Sequence, residues 1–455
     1  MSVPAPILPR QFRPHRPPDG QRPWHITPRG LLLATGTGAA VVTGWPAVAA
    51  LRAPQPPQLS ALIAHVCGLL AGYGVLMLLG LMSRAPALER GVGADVLTRW
   101  HGRGGRIVLG LVLAHAGSAV VSWAQSRQEG TLLALWHVLR LPWLTAATVG
   151  TLMLVAVGAA SARAARKRLS YETWHGLHLL TYLAIAISFP HALAGPDLAG
   201  HRWLQITWAL LYTHVFALLI RHRFLAPLRQ AGRHRLRVVA VVPEGPGVVS
   251  IEVEGHHLRE LQAEPGQFFR WRFLTPDTWL TAHPFSLSAP ATENRLRLTV
   301  KALGRGSTHL QNVAVGTWVV AEGPYGAMTA VRRTRRDILL IAGGVGITPM
   351  RALFETLPLA QGQGLTLLYR SSDTESLLFR AELDAIANYR GAHVHYLTGD
   401  NRDVLSAASL LHLVPGLIHR DVYLCGPPGL SDAVRQALIT AGHPPEYLHE
   451  ERFAF

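Results

Sequence analysis

The sequence has little cysteine. Cys67 and Cys425 are the only 2 in 455 residues, which excludes a disulfide framework and a cysteine-based zinc site. Charge is also sparse, at 15% of residues, against about 25% in an average soluble chain. Acidic residues are the scarcer sign, 27 against 43 basic, for a net charge of +16. With 49% hydrophobic residues, this composition excludes a disordered chain and argues against a wholly soluble one. The basic excess does not mark a nucleic-acid partner, because the arginines fall between apolar segments and not along one amphipathic face. Histidine, by contrast, is abundant at 23 residues, which points to imidazole as the ligand chemistry.

Residues 1–29 are rich in Pro and Arg and read as a disordered tail. Six apolar stretches follow, roughly over 30–51, 59–82, 104–124, 144–162, 175–194 and 203–220, and none holds an Asp or Glu. Each is near the roughly 20 residues needed to cross a bilayer core, so membrane lipid is an expected partner. Ala47-Val48-Ala49 resembles a cleavage site, but the basic region before it is too long for a signal peptide and five apolar segments follow. The first stretch is therefore read as a retained helix. Arg84, Arg90, Arg99, Arg163, Arg166, Lys167, Arg168, Arg221 and Arg223 fall on the same side as the arginine-rich tail. Arg52, Arg127, Arg140 and Arg202 fall on the other. The positive-inside rule makes the first side cytoplasmic, with both termini there.

After about residue 225 the texture changes. Alternating strands are expected over Arg235–Val242, Val248–Val253, Gln267–Phe273, Arg295–Ala302 and Thr317–Ala321, with turns such as Gly245-Pro246-Gly247 between them. That pattern reads as a small antiparallel barrel. From Asp337 onward, strands at Ile338–Ala342, Leu365–Tyr369 and Val422–Cys425 alternate with helical segments, as in an α/β sheet with parallel strands.

The third apolar segment carries His101 and His115, and the fifth carries His175, His178 and His191. Fourteen residues of helix place His101 and His115 about 21 Å apart and within about 40° of one face. His178 and His191 are about 20 Å apart along the axis. Both helices run outward from the cytoplasm, so His101 is level with His178 and His115 with His191. Two facing histidines at each of two depths would ligate two stacked hemes, with no open iron site. No CxxCH occurs, so such hemes would be non-covalent, b-type. One feature opposes this: on an ideal helix His178 and His191 lie about 140° apart. Pro190 removes a helical hydrogen bond just before His191, and a distorted turn there can rotate it inward. His65 and His214 have no depth-matched partner and read as packing or heme-edge residues. His137 and His201 read as outer loop residues.

His283-Pro284-Phe285-Ser286 follows the third expected barrel strand. A flavin needs backbone hydrogen bonds along its ring edge and a hydroxyl near its N5, and an extended segment with a Ser can supply both. Gly304-Arg305-Gly306-Ser307-Thr308 opens a helix whose free N–H groups can cradle a pyrophosphate; an ordinary turn and cap is the alternative. Gly343-Gly344-Val345-Gly346-Ile347-Thr348-Pro349 lies between a buried strand and a helix, where glycines let backbone approach a phosphate. Arg370, with Ser371 and Ser372, ends the next strand and suits a 2′-phosphate, favouring NADPH over NADH; a solvated strand end is the alternative. The thiol of Cys425 in Cys425-Gly426-Pro427-Pro428-Gly429 is either near a nicotinamide or simply buried. Phe455 ends the sequence as an aromatic that can cover a flavin face or merely pack.

Together these residues resemble a known combination. The membrane half is similar to the ferric reductase-like transmembrane domain shared by NADPH oxidases and ferric reductases. The remainder resembles the ferredoxin–NADP reductase superfamily. The resemblance rests on His101/His115, His178/His191, the HPFS segment, GGVGITP, CGPPG and the terminal aromatic. It implies a multidomain chain: a six-helix transmembrane heme-binding bundle over 30–224, an antiparallel FAD-binding β-barrel over 225–335 and an α/β nucleotide-binding domain over 336–455. By the same resemblance His101 and His178 would hold an inner heme, and His115 and His191 an outer one. His283, Pro284, Phe285, Ser286, Gly304, Ser307 and Thr308 would contact FAD. Gly343, Gly344, Gly346, Thr348, Pro349, Arg370, Cys425 and Gly426 would line the NAD(P)H site, with Phe455 stacked on the flavin. Ser286, Cys425 and Phe455 are the expected catalytic groups. The His form of the HPFS segment looks like the membrane oxidase branch, whereas many reductases of the superfamily carry Arg-x-Tyr-Ser.

The expected activity is electron transfer from cytoplasmic NADPH through FAD and two hemes to a small acceptor outside, either oxygen or a ferric chelate. Arg52, at the outer end of the first helix, would either stabilise a small anion formed there or serve as a positioning charge. Donation to quinone or a periplasmic protein is the nearest alternative. A nucleotide-regulated transporter fits less well, since ion pathways usually need intramembrane acids. The hydride-site residues argue against a non-catalytic heme sensor.

Overall fold

The computed structural model describes residues 25–52, 57–162, 168–169, 171–279, 281–335, 337–399 and 402–452. The tail before His25, Arg163, Arg166, Lys167 and Phe455 lie outside them. Two compact units emerge. One comprises Ile26–Leu88 and Val96–Arg223; the other comprises Glu89–Asp95 and the chain from Phe224 onward.

Among the described residues, the first unit contains six helices long and apolar enough to cross a membrane. They are α1 (Pro28–Arg52), α2 (Leu59–Leu81), α3 (Ala94–Arg127), α4 (Leu144–Ser161), α5 (Tyr171–Ala194) and α6 (Arg202–Ile220). A helix satisfies its own backbone polar groups, as an apolar medium requires. Small residues bring the helices close. A Cβ on Gly158 would lie 2.6 Å from Leu109 of α3, and one on Gly150 would lie 2.9 Å from the Ala184 carbonyl of α5. Such contacts replace the hydrophobic drive that is missing between helices in lipid. Leu76, Leu198, Trp208 and Tyr212 form the buried centre. The Tyr212 hydroxyl donates to the Gly72 carbonyl at 3.0 Å. Leucines such as Leu152 and Leu210 face outward, each 63% exposed, as expected for a surface against lipid.

The second unit contains two sheets. Strands β1 (Leu236–Gly245), β2 (Val248–Glu254), β3 (Phe268–Phe273), β4 (His283–Ser286), β5 (Arg295–Lys301) and β6 (Trp318–Tyr325) form an antiparallel sheet in the order β4-β3-β6-β1-β2-β5. A bridge between Leu287 and Leu298 links the end of β4 to β5, the opposite edge. Phe269, Trp271 and Phe273 alternate inward along β3 while Arg270 and Arg272 are half-exposed, the period of 2 that puts one face in the core. The β1–β2 turn passes through Gly247 at φ +66°, a conformation glycine adopts without cost.

Strands β7 (Ile338–Gly343), β8 (Leu365–Arg370), β9 (His393–Leu397), β10 (Asp421–Gly426) and β11 (Leu448–Arg452) form a parallel sheet in the order β11-β10-β7-β8-β9. Every residue of β7 and β10 is buried, as in a sheet covered on both faces. The chain steps from β7 outward to β9 and then returns to the other side of β7 as β10. This reversal leaves a crevice at the carboxyl ends of β7 and β10, where such sheets bind ligands.

Candidate functional site

In the helical unit the four histidines meet in two pairs. His101 and His178 have ring centroids 5.9 Å apart, and His115 and His191 have theirs 6.0 Å apart. The 140° mismatch expected for an ideal helix does not keep His191 out. Pro190 lies inside α5 and has no N–H for the Ala186 carbonyl. His101 Nδ1 faces the Leu78 carbonyl at 3.3 Å, and His115 Nδ1 faces the Ala64 carbonyl at 2.8 Å. A nitrogen facing a carbonyl carries the proton, which leaves the Nε2 lone pair available to a metal. A Cβ at Gly68 would lie 2.7 Å from His115 Nδ1, so that ring depends on a bare backbone beside it. The Trp174 ring stacks on His178 at 5.3 Å, and His178 Nδ1 is buried without a hydrogen-bond partner.

These pairs fit an iron held between two imidazoles. Two metal–nitrogen bonds of about 2 Å, plus about 1 Å from each nitrogen to its ring centre, span about 6 Å. Among the described residues no three His, Cys, Asp or Glu side chains gather as an ionic metal site would require. Paired histidines suit a macrocyclic metal, whose other ligands come with it. His65, read as a packing or heme-edge residue, pairs with Asp197 at 2.8 Å. His137 is in a short helix, Thr131–Leu139, and meets Glu129 at 3.0 Å, so it is not a loop residue.

In the second unit the HPFS segment is β4. It pairs with β3 so that Trp271 faces His283 and Phe268 faces Ser286. The Trp271 indole donates to the Phe285 carbonyl at 2.9 Å. The Ser286 hydroxyl is 2% exposed and has no hydrogen-bond partner. An unpaired buried hydroxyl costs about 1–3 kcal/mol, the condition of a group that awaits a ligand. A Cβ at Gly306 would come within 2.7 Å of His283 Nε2, so β4 and the glycine-rich turn abut.

The expected cradle at Gly304–Thr308 is only partly open. Arg305–His309 is a single helical turn. The Ser307 hydroxyl accepts the N–H groups of Leu303 and Gly304 at 2.9 and 3.0 Å. The Thr308 hydroxyl donates to the Gly304 carbonyl. Both hydroxyls thus shape the turn itself.

The GGVG and CGPPG turns meet at the crevice. A Cβ at Gly346 would lie 2.3 Å from the Cys425 carbonyl, which excludes any side chain there. Gly344 has φ +53° and open space around it. Thr348 donates to the Val345 carbonyl at 3.0 Å, and Pro349 sits in the first turn of α7 (Ile347–Thr356). A cleft of about 340 Å³ runs past Gly343, Gly344, Arg370, Ser371, Ser372 and Pro427.

Two expectations change here. The Arg370 guanidinium donates to the Ser371 and Leu397 carbonyls at 2.7 and 3.0 Å and to the Gly399 carbonyl, which makes it a strap between strand ends. Cys425 is fully buried, and burial together with the Glu451 carboxylate pushes its thiol well up. Its burial accords with the second of the two alternatives, a buried small residue. Sequence reasoning missed Lys301, which lines the cleft. Its signal was rarity, as one of only two lysines in the chain.

Comparison with known proteins follows the same division. Residues 67–189 match the family described as ferric reductase like transmembrane component, and residues 340–436 match the oxidoreductase NAD-binding domain. The chain is 34% identical over 224 residues to the ferredoxin reductase component of 3-ketosteroid-9-alpha-monooxygenase from Mycolicibacterium smegmatis, covering 48% of this chain and 60% of that protein. It is 31% identical over 206 residues to a flavohemoprotein of Vibrio cholerae, covering 42% of this chain and 52% of that one. The flavohem-like FAD/NAD binding domain of nitric oxide dioxygenase from Vibrio cholerae aligns with a TM-score of 0.40 and 26% identity, over 48% of this chain and 98% of that one. The chain thus carries a segment matching the ferric reductase like transmembrane component and, after it, one matching the oxidoreductase NAD-binding domain, and it spans about 60% of the length of the first of these relatives.

Proposed function

We propose that the chain takes hydride from cytoplasmic NAD(P)H and delivers single electrons across the membrane to a small acceptor outside, either oxygen or a ferric chelate. The observation that carries this reading is the pair of matched imidazole separations, 5.9 and 6.0 Å, at two depths of one bundle. Bound FAD would exchange one hydride for two single electrons, and two bound b-type hemes would carry them through the apolar layer.

The chain's own residues bind and orient these groups. His101 and His178 would hold the inner iron, and His115 and His191 the outer. The Leu78 and Ala64 carbonyls fix the ring tautomers of His101 and His115. An iron held by two histidines would offer the acceptor no open site, so the last transfer would be outer-sphere. Arg52, exposed at the end of α1, would serve as a positioning charge on that side. The antiparallel sheet, closed through Leu287 and Leu298, would act as the FAD-binding barrel. There Ser286 would place its hydroxyl at the reacting edge of the flavin, His283, Pro284 and Phe285 would line the ring, and Gly304, Ser307 and Thr308 would shape the phosphate turn. Gly343, Gly344, Gly346, Thr348, Pro349 and Gly426 would let NADPH lie close to backbone. Arg370 would hold the strand ends that frame its ribose. Phe455 would cover the flavin face that nicotinamide must reach.

The test is oxygen uptake and heme reduction followed in one cuvette after NADPH addition to the FAD- and heme-loaded protein. Oxygen consumption matching NADPH loss makes the chain an oxidase. Hemes that stay reduced in air point to ferric chelates as the acceptor. If neither heme nor oxygen responds to NADPH or NADH, the proposal fails.

A further inference from the structure

We propose that Arg223 is a positioning charge that strengthens the inner histidine pair as an electron acceptor, a proposal that rests on the two-heme reading above. Arg223 lies in the turn Arg221–Leu225 that follows α6. Its Nε donates to the Met82 carbonyl at 3.0 Å, and its Nη1 donates to the Tyr182 hydroxyl at 3.5 Å. Met82 is four residues after Leu78, whose carbonyl holds His101 Nδ1. Tyr182 is four residues after His178. Residues four apart share a helix face at about 5–6 Å, so both anchors of the guanidinium adjoin the inner pair, one at the end of α2 and one on α5.

The outer pair has a different neighbour. Ala64, which holds His115, is followed by His65, and His65 pairs with the Asp197 carboxylate. The inner site therefore has a cation anchored beside it, while the carboxylate on the outer side is held in a pair with His65. An arginine keeps its charge at every accessible pH. In a low-dielectric layer that charge favours the state holding one more electron. The step is a gain of one electron by the inner iron, donated by reduced flavin, with no bond formed or broken at Arg223. The cation draws the first transmembrane transfer forward.

Redox titration of the full-length protein, followed optically, tests this. Heme is counted first by the pyridine hemochrome assay, and the inner potential is identified as the one absent in H178A. R223Q removes the charge and R223K keeps it. The expected result is two hemes in each Arg223 variant, with an inner potential about 59 mV lower in R223Q, a tenfold weaker equilibrium for one electron. In R223K the inner potential stays within a third of that shift, and the outer potential is unchanged in both. An unshifted inner potential in R223Q, equal shifts at both hemes, or an R223K protein as low as R223Q overturns the proposal. A wild-type protein that holds fewer than two hemes overturns the reading beneath it as well, and the initial count separates that failure from the others.

Discussion

Gly68 offers a sharp test of the outer site. In G68A the new methyl would sit 2.7 Å from His115 Nδ1 and 2.9 Å from its Cε1, whereas apolar heavy atoms rest at about 3.5–4.0 Å. The deficit approaches an ångström, and the carbon is fixed to the α2 backbone. The ring must therefore move, and its 2.8 Å bond to the Ala64 carbonyl is lost with it. Overpacking of this kind costs about 1–3 kcal/mol, and the hydrogen bond contributes about another 1 kcal/mol. About 3 kcal/mol in all corresponds to roughly a hundredfold in affinity, within reach of the 10–100-fold losses that follow when a ligand's supporting bond is removed. Alanine is the better helix former by about 1 kcal/mol, so a weakened α2 cannot be the cause. Pyridine hemochrome analysis of purified protein is expected to fall from two hemes per chain towards one, with the inner heme retained. G110A is the control, because a Cβ there meets nothing within 4 Å. A G68A protein with two hemes and an unchanged outer potential would refute the assignment of His115.

Three further outcomes follow from the second unit. S286A should slow NADPH-driven flavin reduction by about 10–100-fold in stopped flow, in line with the loss of a positioned hydroxyl, while flavin content is kept; an unchanged rate removes Ser286 from the reacting edge. Cys425 should resist alkylation in the folded protein at pH 8, and C425A should keep hydride transfer within about threefold, since the thiol is buried and its pKa is pushed well up by burial and by Glu451; rapid labelling contradicts this. Asp421 is buried and accepts the Thr334 N–H at 2.7 Å, the Arg335 N–H, and His449 Nε2 at 2.9 Å. Burial opposes its ionisation, but these bonds outweigh burial and hold its carboxyl below the usual aspartate range. Its stabilisation is therefore complete above the unfolded value of about 3.9 and is lost as pH falls through the folded value. D421N should lower stability by about 2–4 kcal/mol at pH 7 and flatten the acid limb of a thermal-melt profile; an unchanged acid limb refutes it.

The six apolar stretches were legible because crossing helices must be apolar over a fixed length, although α3 begins ten residues before the apolar run at Gly104. The histidine depths were legible from helix rise alone. The facing of His191 was not, because a phase count on an ideal helix puts it about 140° from His178. Asp197 was invisible as the partner of His65, since the two are far apart in sequence and meet only through folding. Arg370 looked like a phosphate reader because a strand-end arginine has five donors with no fixed use; three backbone carbonyls claim it once β8 and β9 pair. Ser307 was similarly ambiguous, and the choice between ligand and cap was made by two N–H groups of its own loop.

Both depths of the bundle use the same two helices, since His101 and His115 ride on α3 and His178 and His191 ride on α5. The spacing of the two sites is therefore counted in residues along rods and does not depend on any loop. A rotation or one-turn slip of α5 would dismantle both sites together, and deletion of one residue between the histidines would turn one member by about 100°. On the proposed function such a bundle would act as a fixed conductor with no intermediate setting, and control of turnover would belong where hydride enters and not in the membrane.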